Sequence, residues 1–270
     1  MTSLISLQPL SSGSRRRLGL LCVLGLLTTT ATTLYAGPVK HQIDEGVIDW
    51  SLAEVRAVGV GTPRVLSPTG GVTDESLQEA ARRNVERRLV KMVETLRWNQ
   101  RERLSQHPVW LRRAREATRQ LRTMAIRRAS DGTIHYHAAL SFEQFLKQGR
   151  PRLDGRTKPT VTVVIQLEET IHPCLQISLQ NETFETPVVV GLSLDTSAPS
   201  RPLRWLYGAS LPEPKKDQLV LKGVPVRRPN EDVSLAVSAS PEVMTLYRSQ
   251  GETADYVILL PEPETKVIAQ

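Results

Sequence analysis

Polar and apolar positions alternate from Glu54 to Val60, the two-residue period of a half-buried strand. The run before it, Val47-Ile48-Asp49-Trp50, is short and apolar, and Ser51-Leu52 suits a turn. Val47 to Val60 therefore predicts a strand pair, closed by Gly59-Val60-Gly61-Thr62-Pro63. Arg64 to Val72, with Ser67-Pro68-Thr69-Gly70-Gly71, predicts a loop. The period then changes. Leu77, Ala81, Val85, Leu89, Met92, Val93 and Leu96 recur at three- and four-residue steps, which places one apolar stripe on one side of a helix. Ser76 and Glu79 fit a capping box at its start. The pattern breaks from Asn99 to Pro108. It resumes as a second helix expected from Val109 to Arg128, with Leu111, Ala114, Thr118, Leu121 and Ala125 as the buried stripe and Ser130-Asp131-Gly132 as the stop. Ile134, Tyr136, Ala138 and Leu140 alternate with His135, His137 and Ala139 and predict a third strand, and Phe142 to Lys147 predicts a short helix.

The second half changes character. Residues 149–159 are polar and rich in Arg, Gly and Pro, and read as a linker. Short Val/Leu/Ile-rich runs follow at Thr160–Leu167, Cys174–Leu179, Pro187–Leu194, Leu203–Tyr207, Gln218–Val226, Val233–Val237 and Tyr256–Leu260, separated by Pro, Asn and Asp. Glu242 to Arg248 adds a turn or two of helix. The expected class is α+β: a first domain over 37–148 built from a hairpin, a long helix or helix pair and a return strand, then a mainly β domain over 160–260 and a loose tail over 261–270.

The first thirty-six residues have a different grammar. Arg15, Arg16 and Arg17 precede an apolar run from Leu18 to Leu27, and a Thr-rich stretch ends at Leu34-Tyr35-Ala36-Gly37. This is the three-part pattern of a secretory signal peptide, with cleavage expected after Ala36. The apolar run is about half the ~20 residues that a membrane span needs, so no span is expected once the leader is removed. The expected location is the periplasm or outer envelope. That setting disfavours ATP-driven and cytosolic dinucleotide chemistry. Only Cys174 remains after cleavage, so no intramolecular disulfide is available.

The net charge of +7 conceals a local feature. Glu79 to Arg128 carries fifteen Lys and Arg against five Glu, so the basicity belongs to the predicted helices. Arg82, Arg83, Arg87, Arg88, Arg112 and Arg113 form the candidate interaction face. Such a face binds phosphate-rich or acidic partners, or it is a solvated helix surface. Export points to an envelope protein or an anionic envelope surface and away from nucleic acid.

Recognisable catalytic signals are missing. There is no Gly-x-Ser-x-Gly elbow, no His-Glu-x-x-His helix and no phosphate-cradling loop ending in Lys-Ser or Lys-Thr. Gly59-Val60-Gly61 lacks the third glycine of a dinucleotide fingerprint, so no cofactor is expected. Glu168-Glu169 resembles an acid–base pair, but neighbours on a strand point to opposite faces. His135 and His137 stand two residues apart on one strand face, a spacing that metal sites use, and His172 and Cys174 repeat it. Zinc takes three or four ligands, so His135 and His137 read first as the wet side of an amphipathic strand. An envelope enzyme or metal-binding protein centred on that pair is the rival reading.

Ile48-Asp49-Trp50 with Arg56 to Pro63, Ala80-Ala81-Arg82-Arg83-Asn84 through Leu89 and Leu96, and Thr133 to Leu140 together resemble a bacterial envelope family. That family joins small (twenty-kilodalton type) outer-membrane lipoproteins to the N-terminal domain of flagellar assembly protein T. Trp205-Leu206-Tyr207-Gly208 and Leu219-Val220-Leu221-Lys222-Gly223 are similar to longer, uncharacterised members. The resemblance implies a non-catalytic exported protein that binds or scaffolds other envelope components, with a flagellar role as one branch. The chain departs from the pattern twice. Cys22 lies inside the apolar run rather than at a lipobox, so no lipid anchor is implied, and the helical region is longer and more basic than the family's.

Overall fold

The computed structural model describes residues 37–63, 73–147, 161–181, 184, 187–192, 202–208, 217–250 and 254–262. The expected leader over 1–36, the expected loop over 64–72, the expected linker over 149–159 and all of the expected tail after Glu262 lie outside these residues. The fold is α+β, with two sheets.

The first described residues, Gly37–Pro38 (β1), belong to the second sheet rather than the first. Val39, fully buried, carries the chain across, and Lys40–Ile43 (β2), Gly46–Asp49 (β3) and Glu54–Gly61 (β4) then form an antiparallel meander. Asp74–Thr95 (α1) follows, then Pro108–Ala117 (α2), Arg122–Arg128 (β5), Ile134–Ser141 (β6) and Phe142–Lys147 (α3). The order across the first sheet is β2-β3-β4-β6-β5, antiparallel throughout.

Helix α1 forms where the apolar stripe predicts. Leu77, Ala81, Val85, Leu89, Met92 and Val93 are all buried against the sheet. Its cap differs from the expectation. Thr73 is the N-cap, with its hydroxyl accepting from the Ser76 backbone N–H, while Glu79 pairs with Arg83. Asp74 and Glu75 occupy the positive end of the helix dipole. The Gly-x-Gly of β4 explains how closely the helix lies. A Cβ at Gly59 would collide with the Ala81 carbonyl oxygen and stand 2.6 Å from the Val85 nitrogen; one at Gly61 would strike the Leu77 carbonyl. Asn84 completes the seam by accepting from the Val60 N–H at 3.2 Å.

The expected second helix to Arg128 is wrong over its last third. Helix α2 stops at Ala117, a 3-10 turn spans Thr118–Gln120, and Arg122–Arg128 is an edge strand. The sequence is ambiguous there. Leu121 and Ala125 continue the helical step, but Thr123 and Ile126 are β-branched, and pairing with β6 decides the outcome. Ser130-Asp131-Gly132 is consequently a hairpin turn, with Gly132 at φ +83°. Trp98 and Trp110 flank the break and pack on each other, ring centroids 5.7 Å apart.

The second sheet has eight strands. Thr162–Leu167 (β7), Gln176–Gln180 (β8), Val188–Gly191 (β9), Arg204–Tyr207 (β10), Gln218–Val226 (β11), Ser234–Ser238 (β12) and Asp255–Leu260 (β13) join β1 in the order β1-β10-β13-β7-β11-β12-β8-β9. Pro241–Gln250 (α4) makes the crossover from β12 to β13. Pairing is mixed: β7 runs parallel to both β11 and β13, whereas β1 pairs antiparallel with β10. The buried apolar residues of both sheets form one cluster from Val39 to Leu260. Backbone bonds knit the halves: Leu175 N–H to Arg97 carbonyl, Gln176 N–H to Trp98 carbonyl, and Trp205 N–H to Trp50 carbonyl.

Candidate functional site

The six arginines of the predicted interaction face do not behave alike. Arg82 and Arg83 are exposed on α1 but spent on their own helix, pairing with Glu86 at 3.3 Å and Glu79 at 3.1 Å. Arg113, on α2, lies 4.9 Å from the Trp110 ring centroid in a cation–π contact. Arg112 is exposed, and it has no carboxylate partner among the described residues. Arg87 and Arg88 likewise have no carboxylate partner there. These last two line a shallow concavity of about 400 Å³ with Asn84, Lys91 and the Asp44–Glu45 turn between β2 and β3. Lys91 reaches Glu45 only loosely, at 3.9 Å. Further along, Glu94 accepts from Arg115 at 2.6 Å, and Asp74 from Arg128 at 2.7 Å. Cations around this helix are mostly matched, and the Arg87–Arg88 step is where matching stops.

His135 and His137 lie on the opposite side of the five-stranded sheet. Register puts Val60, His135 and Arg127 in one row and Val58, His137 and Ala125 in the next. Burial, and then the charges of Arg127 and His135, hold His137 below the ordinary imidazole pKa. No group of three potential metal-ligating side chains occurs among the described residues, so the pair stands among Val and Arg rather than among further ligands. The same face carries a charge ladder. Lys40 and Arg56 flank the buried Asp49 carboxylate at 3.6 and 3.7 Å, too long for hydrogen bonds but close enough for Coulomb attraction. Arg56 also pairs with Glu54, and Arg122 reaches over the small Ala139 of β6 to meet Glu54 at 2.9 Å. None of this was visible as spacing, because it depends on strand register.

The remaining candidates separate. Cys174 is fully buried, donates to the Gln176 carbonyl and accepts from the Gln100 side chain, and burial pushes its thiol pKa up to about 12. A thiol so poised is inert at neutral pH. His172 is exposed and bound through its backbone to Gln100, so the two do not form a dyad. Glu168 and Glu169 lie just past the end of β7 rather than on it, and Glu169 pairs with Arg227 at 3.1 Å. No protein-family model matches the chain, and no curated protein matches it. Among the described residues no helix is long and apolar enough to cross a membrane.

Proposed function

We propose that this protein is exported to the cell envelope and acts there by binding, as a scaffold or assembly module, with an anionic partner seated against Arg87 and Arg88. The observation that carries the reading is the break in charge matching on α1. Arg82 and Arg83 have carboxylates within salt-bridge distance, while Arg87 and Arg88 open onto a concavity where, with Lys91, three cations face the two carboxylates of the Asp44–Glu45 turn and leave a positive excess. Guanidinium groups on a rigid helix that are in no direct ion pair bind carboxylate or phosphate with two parallel N–H donors, at no cost of ordering a loop. The exposed Arg112 extends the same chemistry onto α2. The leader pattern and the resemblance to envelope proteins supply the location and the scaffold role.

Crosslinking in intact cells tests this. The wild-type chain is expected to capture one dominant envelope neighbour, and Arg87→Glu with Arg88→Glu to lose most of it, at unchanged thermal midpoint. Undiminished capture by the doubly reversed variant would overturn the assignment. Edman sequencing of the envelope-purified chain is expected to begin at Gly37; an intact leader would remove the export half of the proposal.

A further inference from the structure

A second concavity, of about 430 Å³, lies on the helix-bearing face of the same sheet. Ile43, Ile48 and Trp50 give it an apolar wall, and Pro173 enters from the second half of the chain. Charge is divided along its length. His41 stands beside Arg97, whose neighbour across an isolated bridge is Arg103; the Asp44–Glu45 turn closes the other end. Burial first, and then the charges of His172 and Arg97, keep His41 below the ordinary imidazole pKa, so near neutral pH it adds little charge. The lining is then balanced, two arginines against two carboxylates. A simple anion satisfies one end and is repelled by the other.

Trp50 adds an independent sign. It is 2% exposed, and its indole N–H has no hydrogen-bond acceptor among the described residues. Buried Trp N–H groups usually have one, and an orphan is destabilising. The His41 ring stands edge-on to Trp50 at 6.5 Å and, being exposed, is free to swing aside. From His41 to Ile43 is two strand steps, about 7 Å, and Asp44 begins the turn one residue beyond. That is too long for the adjacent ammonium and carboxylate of one amino acid, and it matches about three extended residues.

We propose that this cavity binds a short peptide, with its terminal carboxylate on Arg97 and Arg103, its terminal ammonium on Asp44 and Glu45, and a backbone carbonyl accepting from the Trp50 indole. The site goes beyond the Arg87–Arg88 reading: neither of those arginines lines it, although the two concavities share the Asp44–Glu45 turn.

Calorimetric titration of the chain with trialanine, N-acetyl-trialanine and trialanine amide is the test. Trialanine is expected to saturate at micromolar to millimolar concentration, and each blocked form to bind at least tenfold more weakly. Arg103→Gln, on an exposed side chain, and Trp50→Phe, which keeps an aromatic ring but removes the donor, are each expected to weaken trialanine about fivefold or more. No saturable heat at ten-millimolar trialanine would overturn the proposal. So would equal affinity for the blocked peptides, or unchanged affinity in Arg103→Gln, a variant that loses no buried contact. The double reversal at Arg87 and Arg88 adds negative charge beside the shared Asp44–Glu45 turn and is expected not to weaken trialanine, so failure of either proposal is distinguishable from failure of the other.

Discussion

Replacing Gly59 by Ala would set a methyl group against the Ala81 carbonyl oxygen and the Val85 nitrogen, both backbone atoms that no rotamer change can move. Helix α1 would have to lift from β4. The expected loss is about 3 kcal/mol, the upper end for overpacking, read as a lower urea midpoint with unchanged slope. The sequence displays the Gly-x-Gly but not its reason, because a nucleotide loop and a helix seat look alike until the helix is placed. His137 makes a second prediction. Its folded pKa is lowered, so below the ordinary value of 6.5 the unfolded chain holds more protons than the folded one. Its contribution is whole above the ordinary value of 6.5 and is lost as pH falls from there through its lowered folded pKa. His41 and His172 are shifted the same way, burial leading in each, and add to the slope. Urea midpoints measured from pH 7.5 to 5.5 are expected to fall, and His137→Gln to flatten part of that fall; an unchanged profile in the variant would show that the imidazole is not the titrating group. The histidine pair itself was legible as a wet strand face. Its company of Val58, Val60 and Arg127 was not, since cross-strand neighbours are set by register.

At the scale of elements, α1 was legible residue by residue because twenty-two positions repeat one period and every expected stripe residue is buried. Leu89→Ala, at 0% exposure, is expected to cost about 2–5 kcal/mol by chemical denaturation. Strand β5 was misread for the opposite reason. Seven residues with mixed propensity carry too little periodic signal to outweigh a helix running into them, and the pairing that fixes them comes from β6, which follows in sequence. As an edge strand β5 leaves Met124 48% and Ile126 45% exposed. Exposed apolar edges invite pairing with other chains, and Arg122, Arg127 and Arg128 on the same strand oppose it. Ile126→Lys is expected to leave the thermal midpoint nearly unchanged and to slow aggregation on heating, followed by light scattering. A faster-aggregating variant would show that this edge is not the sticky surface.

For the whole molecule, the alternation of apolar runs after residue 160 foretold seven strands but not their order. Parallel neighbours such as β7 and β13 are separated by roughly ninety residues and by five other strands in the chain, and no local pattern encodes such a pairing. Strand β1 has no signature in the sequence, because two residues have no period. Yet the chain from Gly37 to Val39 is bound at both ends: Gly37 and Pro38 pair with Tyr207 and Leu206, the Val39 N–H donates to the Ser51 hydroxyl at 2.7 Å, and the Val39 carbonyl accepts from the Trp50 N–H at 3.0 Å. A chain beginning at Gly37 is expected to melt like one that also carries residues 1–36. One beginning at Lys40 is expected to lose about 2–3 kcal/mol from the missing Val39 side chain alone. Calorimetry of the two truncations decides it. The latch also sets a timetable. Strand β1 leaves the ribosome first among the described strands, and the strand on the far side of its partner, β13, leaves last. The opening residues must therefore wait, unzipped, while some two hundred others are made, and a polypeptide that cannot finish early is one that can still be threaded through a narrow pore.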